Sequence, residues 1–425
     1  MKDYTTLSKE ELLCELQKTN KEYDGIKALG LSLNMARGKP GKEQLEYCMP
    51  LLNTPLTSDS FGTNSDYRNY GILCGIPEAR KLFSELLECD EDCVFVGGNS
   101  SLDLMFGTVM RAYVSGICGS MPWSRLPCVR FLCPAPGYDR HFAICSHFGI
   151  QMIPIKLNED GPDMDAVQKY VENDPFVKGI WCVPKYSNPD GITYSDEVVS
   201  RFADLKPAAE DFRIFWDNAY IVHDLYDKSD KLLNIFDELK KRGKEDMAIE
   251  FVSTSKISFP GAGVAAMAMS KRNLEDAKKT LTVQTIGYDK LNQLRHVNYF
   301  GTAENIKRHM KGLAEILRPK FEAVYKSLDE LTKLGIAHYH KPRGGYFVSL
   351  YLHPGCAKRT YELAKAVGVT LTAAGATYPG SYDPDDSNLR IAPTYPSKEE
   401  LEKSLSVLSV CARIAALEVL IKSAE

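Results

Sequence analysis

One alternation, running from about residue 55 to residue 303, limits what this chain can fold into more than any other feature. Short apolar runs recur between longer stretches of helical period: Val94–Gly97, Val129–Cys133, Met152–Ile155, Gly179–Val183, Ile214–Trp216, Ile249–Ser253 and Gly263–Met269. Several carry no polar alternation, which is the pattern of strands covered on both faces. Strand then helix, repeated, implies βαβ crossovers and a mostly parallel sheet in an α/β domain. Such sheets gather ligands at the carboxyl ends of their strands, so the residues just after each run are where chemistry is expected.

The flanks read differently. Ser8 and Glu11 make a capping box before an amphipathic run that Gly30 stops, and an extended Leu31–Pro40 segment follows. Beyond the alternating region a helix is expected from Asn305 to about Leu334, then a hairpin-like stretch over Gly335–Leu352 and a helix near Ala357–Val367. The capping box of Ser397 and Glu400 opens a last amphipathic helix to about Lys422. A chain of 425 residues exceeds one compact core. The expected division is an N-terminal arm with part of a small domain in 1–55, a large α/β domain in 56–305, and a C-terminal segment in 306–425. Both chain ends would then combine into a smaller α+β domain.

The formal net charge of -4 leaves no electrostatic footprint for nucleic acid or an anionic membrane, so neither is an expected partner. The first residues lack the apolar core of a signal peptide. The most apolar run, Gly261–Met269, is strand-sized, so no stretch is expected to reach the length of a membrane span. The cysteines are scattered without C-x-x-C pairs, and no histidine pair accompanies Cys89 and Cys93. Reduced thiols are expected rather than disulfides or a metal site, which fits a cytoplasmic protein.

Five sets of residues follow predicted strands, and each has two readings. Gly97-Gly98-Asn99-Ser100-Ser101 opens the helix Leu102–Tyr113, where free backbone N–H groups favour a phosphate; taken alone, a glycine turn with a Ser or Asn cap is the simpler reading. Tyr138 follows Pro136-Gly137 and could lie over a planar ring or fill core space. Asn188, in Ser187-Asn188-Pro189-Asp190-Gly191, could donate to a ring oxygen or merely sit in a turn. Asp217, in Asp217-Asn218-Ala219-Tyr220, is a carboxylate at a buried strand end that needs a cation, and Tyr220 could approach the same group. Lys256, in Ser253-Thr254-Ser255-Lys256, can point into a cleft where desolvation makes an amine nucleophilic; Ser-x-Ser-Lys also suits a serine–lysine hydrolase.

In this order, with Arg390 after them, the sets resemble fold-type I enzymes of the class I/II aminotransferase family, which use pyridoxal 5′-phosphate (PLP). The resemblance covers the chain from about Leu31 to its end. It implies that Lys256 carries PLP as a Schiff base and moves the substrate α-proton. Asp217 would keep the pyridine nitrogen protonated, Asn188 and Tyr220 would meet the phenolic oxygen, and Tyr138 would stack on the ring. Gly98, Asn99, Ser100, Ser101, Ser253 and Ser255 become phosphate contacts, and Arg390 the fork for the substrate α-carboxylate. Tyr70, in Tyr70-Gly71, resembles the tyrosine that reaches the partner subunit's cofactor, which implies a homodimer.

One departure stands out. Relatives place an arginine in Pro-Gly-x-Arg after the lysine, whereas here the run is Pro260-Gly261-Ala262-Gly263; Arg295 is the nominee for the missing cation. Together with Arg37-Gly38-Lys39-Pro40 and Ser65–Gly71, this resembles the type Ic aspartate aminotransferase branch, some of whose members were called alanine–glyoxylate aminotransferase-like. Arg37, Gly38 and Lys39 fall on a flap over the substrate, where a second carboxylate would be met, or form an exposed basic loop. The implied reaction is L-aspartate with 2-oxoglutarate to oxaloacetate and L-glutamate. Alternatives are an aromatic or neutral amino acid aminotransferase, or a PLP-dependent β-lyase. A PLP-sensing transcription regulator lacks room for its DNA-binding module in the 55 residues before the alternation, and a serine–lysine hydrolase leaves Asp217 and Asn188 unexplained.

Overall fold

A computed structural model describes residues 2–57, 61–62 and 65–424. The strands, in chain order, are β1 (Leu33–Asn34), β2 (Val94–Val96), β3 (Arg130–Ala135), β4 (Gln151–Asn158), β5 (Gly161–Pro162), β6 (Val177–Cys182) and β7 (Arg213–Asp217). They continue with β8 (Ala248–Ser253), β9 (Ala265–Met269), β10 (Ala337–Tyr339), β11 (Val348–Leu352), β12 (Val369–Thr370) and β13 (Asn388–Ile391). All seven apolar runs of the alternating region are strands of one sheet, ordered β2-β9-β8-β7-β6-β3-β4-β5. Strands β4, β3, β6, β7 and β8 are parallel; β9 enters antiparallel between β8 and β2.

Alternate residues of these strands feed two cores, because successive side chains leave opposite faces of a sheet. Phe131, Trp181, Phe215 and Phe251 pack on one face, and Leu132, Ile180, Ile214 and Trp216 on the other. With both faces covered there is no solvent side to demand polar residues, which is why the runs are uniformly apolar.

The chain ends meet beside this sheet. β1 pairs in parallel with β12, and β10, β11 and β13 form an antiparallel sheet. The helix Lys9–Lys27 has the expected capping box of Ser8 and Glu11. The long helix runs from Ala303 to Lys333, two residues earlier than expected at its start, because the Thr302 side chain accepts from the Asn305 N–H and makes the N-cap. Its buried stripe, Ile306, Met310, Leu313, Leu317, Phe321, Val324, Leu328 and Leu331, keeps a three-to-four-residue spacing.

The expectation about membrane-span length is corrected by the last helix, Lys398–Ser423. It is long and apolar enough to cross a membrane by length and composition, with 61% of its most apolar window buried within the protein. Nor is it one-sided: Leu405, Val407, Leu408, Val410, Cys411, Ala412, Ile414 and Ala416, at nearly every angle round the helix, belong to the core shared with the antiparallel sheet. A helix wrapped by neighbours on several sides reads as apolar nearly all round.

Candidate active site

Strand β7 ends at Asp217, whose residue is only 3% exposed. His141, on the helix Asp139–His147 after β3, places Nε2 3.0 Å from Asp217 Oδ2, and its ring stacks on Trp181 with centroids 4.4 Å apart. Asp217 Oδ1 is buried and has no partner among the described residues. A buried carboxylate oxygen left without a donor is expensive.

Lys256 follows β8 and is partly buried. Its Nζ lies 5.2 Å from the centre of the Tyr220 ring and 5.7 Å from that of Tyr346. Burial pushes its pKa down; the nearby charge of Asp217 opposes this and that of Arg390 adds to it, so the amine sits below the ordinary lysine range. His223 packs edge-on against both tyrosine rings, and neither of its nitrogens has a partner among the described residues. Burial first, then the charge of Lys256, lowers its pKa to about 3, so the imidazole is neutral. Tyr138, at the cap of the helix carrying His141, stands edge-on to that imidazole at 5.0 Å. Burial first, then Asp217 and Asp139, pushes its phenol up to about 12.

The loop after β2 reaches the same region. Ser100 is the N-cap of the helix Ser101–Ser115, yet its side chain makes no capping bond, and Gly98 has φ +61°, a conformation that favours glycine. The Ser253 hydroxyl donates to Ser255 Oγ (3.1 Å), and Ser255 Oγ donates to the Asn99 carbonyl (3.2 Å), tying the end of β8 to this loop. Arg295 lines a cavity of about 570 Å³ with Gly98, Asn99, Gly263 and Asn292, and its buried Nε has no partner among the described residues. Asn292 Nδ2 donates to the carbonyls of Ala262 and Gly263, both at 3.0 Å, holding in place the loop that lacks an arginine.

Arg390, on β13 and 8% exposed, closes the other side. Its Nη1 donates to Asp139 Oδ1 (2.9 Å) and Asn188 Oδ1 (3.3 Å), and its Nη2 to Thr372 Oγ1 (3.3 Å). Its guanidinium lies 4.7 Å over the Phe347 ring. Gly38 rests against the tip of that aromatic: an added Cβ would lie 2.1 Å from its Cζ.

A family model described as aspartate amino-transferase matches residues 7–424. The chain belongs to the aspartate aminotransferase family. It is an aminotransferase with the fold-type I architecture. An aspartate aminotransferase of Corynebacterium glutamicum is 42% identical over 401 residues, covering 94% of this chain and 93% of that one. The crystal structure of an aspartate transaminase from Corynebacterium glutamicum superposes with a TM-score of 0.95 at 40% identity, covering 98% and 99% of the two chains. The α-aminoadipate aminotransferase LysN of Thermus thermophilus, complexed with N-(5′-phosphopyridoxyl)-L-leucine, shares the fold at a TM-score of 0.73 and 18% identity, covering 99% of this chain and 97% of that one.

Within this aminotransferase the sequence-nominated residues fall into three groups. Asp217, Tyr220, Lys256, Tyr138, Asn188 and Arg390 are neighbours, the Gly98–Ser101 loop is tied through Asn99 to Ser255 and Ser253 beside Lys256, and Arg295 lines a cavity with Gly98 and Asn99. Arg37 and Lys39 are exposed, and the Lys39 ammonium lies 4.0 Å over the Tyr395 ring. Tyr70 is 82% exposed. His141, His223, Tyr346 and Phe347 were not nominated. His141 alone carried a trace of signal, standing three residues after Tyr138 on the helix that leaves the strand end.

Proposed function

We propose that the chain binds PLP through Lys256 and transfers the amino group of L-aspartate to 2-oxoglutarate, giving oxaloacetate and L-glutamate. The observation that carries this reading is the unpartnered, buried Oδ1 of Asp217, the acceptor a protonated pyridine nitrogen needs. The rest of the space fits the same group: a hydroxyl-lined helix start for its phosphate, with Arg295 as the cation, and Tyr138 for its ring. When bound, PLP supplies an electron sink for the bonds of the substrate α-carbon.

The chain's own residues have distinct work. His141 holds one oxygen of Asp217 and leaves the other to pair with a cation, in a setting closed to water. Lys256 Nζ, with its proton affinity lowered, takes the α-proton and returns it on the other side of the exchange. Arg390 receives the α-carboxylate with a planar fork that Asn188 and Thr372 orient, and the arriving carboxylate displaces Asp139 from Nη1. Arg37 and Lys39, on the exposed flap, meet the second carboxylate of aspartate or glutamate as the flap closes on it. The aspartate assignment is supported by the relative of 42% identity that bears that name. The exposed ring of Tyr70 supports a homodimer in which each subunit completes the other's site. Twelve cysteines, all free thiols, are in keeping with the cytoplasm.

The test is the visible spectrum of PLP-loaded protein given single amino acids without a keto acid. Loss of the lysine-bound band with aspartate and glutamate, but not with alanine or phenylalanine, is the expected result. Loss with neutral amino acids instead would discard aspartate and keep transamination. Release of ammonia and pyruvate without an acceptor would make the enzyme a lyase.

A further inference from the structure

One buried contact has no part in the reaction described above. Gln44 lies on the short helix Lys42–Tyr47, directly after the Arg37–Pro40 flap, and is 2% exposed. Its Nε2 donates to the Tyr346 hydroxyl at 2.7 Å, while its Oε1 accepts from the Gly41 backbone N–H at 3.1 Å. Both ends of the amide are used, one on the segment that follows the flap and one on a tyrosine 302 positions away. Of the common side chains of this length, only an uncharged amide can accept from one group and donate to the other.

Tyr346 is fully buried, and its ring is one of the two that face Lys256 Nζ. It runs nearly parallel to Tyr220, at 6.2 Å and 21°, with the neutral His223 wedged edge-on against both. The face of an aromatic ring attracts a cation, so its placement biases a nearby amine toward the protonated form. The next residue is Phe347. The tip of its ring lies against Gly38 of the flap, and the Arg390 guanidinium lies over the ring, 4.7 Å from its centroid. Two consecutive aromatic residues therefore connect the 38–44 segment to Lys256 and to Arg390 separately.

We propose that Gln44 is a positioning residue that seats the Tyr346 ring over Lys256 and so couples the flap segment to the proton affinity of Lys256 Nζ. Phe347 carries the parallel link from Gly38 to the carboxylate site at Arg390. The proposal rests on the reading of Lys256 as the PLP-bearing lysine. It adds a route by which the state of the flap reaches the group that moves the proton, without any charge on the flap touching it.

The test is a spectrophotometric pH titration of the visible band in PLP-loaded protein, with kcat and KM for aspartate measured alongside. Tyr346→Phe keeps the ring and removes the acceptor; Gln44→Leu keeps the bulk and removes both hydrogen bonds. Each is expected to lower the midpoint of the band by about half a pH unit or more, and the double variant to go no further than either single one. Phe347→Leu is expected to raise KM without moving the midpoint. A folded, PLP-loaded Tyr346→Phe protein with the parental midpoint and kcat overturns the proposal. So does a double variant whose shift is the sum of the two, since independent residues add. A failure of the underlying reading looks different: the parent protein itself would lack a band that Lys256→Ala abolishes.

Discussion

Glu250 gives a prediction whose size follows from the structure. It sits in the middle of β8, the strand that delivers Ser253 and Lys256, and is only 4% exposed. Asn218 Nδ2 donates to its Oε1 at 2.8 Å. Burial pushes its pKa from 4.5 up to about 8; the bond from Asn218 opposes the rise and the charge of Glu88 adds to it. The folded state therefore keeps a proton that the unfolded chain releases. For an acid raised in this way, stability is greatest below the unfolded value of 4.5 and falls until about 8, after which it is flat. At about 1.4 kcal/mol per pH unit, the loss between pH 6 and pH 8 comes to about 2 kcal/mol, and the total at pH 8 to about 4 kcal/mol. Glu250→Gln preserves the shape and the acceptor for Asn218 but has nothing to ionise. Urea unfolding of the apoprotein, at one protein concentration, should find the variant more stable by several kcal/mol at pH 8 and close to the parent at pH 5. Equal stability at pH 8, or an unchanged slope between pH 6 and pH 8, would refute the argument that burial keeps this carboxyl protonated.

Three further outcomes are expected. Lys256→Ala abolishes turnover while PLP still binds without a covalent link, read by borohydride reduction and mass spectrometry; turnover within about a thousandfold of the parent would sink the lysine's role. His141→Phe removes the group holding Asp217 Oδ2 and lowers kcat by about tenfold to a hundredfold with little change in KM, the scale of one hydrogen bond to a charged group. Gly38→Ala forces the Phe347 ring or the flap to move, because the new Cβ would lie 2.1 Å from that ring, and raises KM for aspartate several-fold without altering the visible spectrum.

Much of the fold was legible because it rests on local signals. The seven apolar runs are strands because a sheet covered on both faces tolerates nothing polar in its middle, and the capping boxes at Ser8 and Ser397 are each made within four residues of chain. The helix start at Thr302 was misjudged by two residues because Thr302 offered a cap that the apolar period, which begins later, does not reveal. The final helix was read as one-sided because a sequence records which residues are apolar but not how many neighbours surround them.

The residues at the strand ends could be nominated from their place: Asp217, Lys256, Asn188 and the Gly98–Ser101 loop each end or follow a recognisable strand, while their roles came from the resemblance of the ordered set to a known family. What only the tertiary structure decided is which distant side chains complete them. His141 lies 76 positions from Asp217, Gln44 lies 302 from Tyr346, and Arg390 lies 202 from Asn188. No propensity or period links such pairs, because their contact depends on crossover connections that bring strand ends together and on the return of the C-terminal strands beside the sheet. A buried donor and acceptor find each other only once the chain is packed, and it is packing that leaves Asp217 Oδ1 buried without a partner among the described residues.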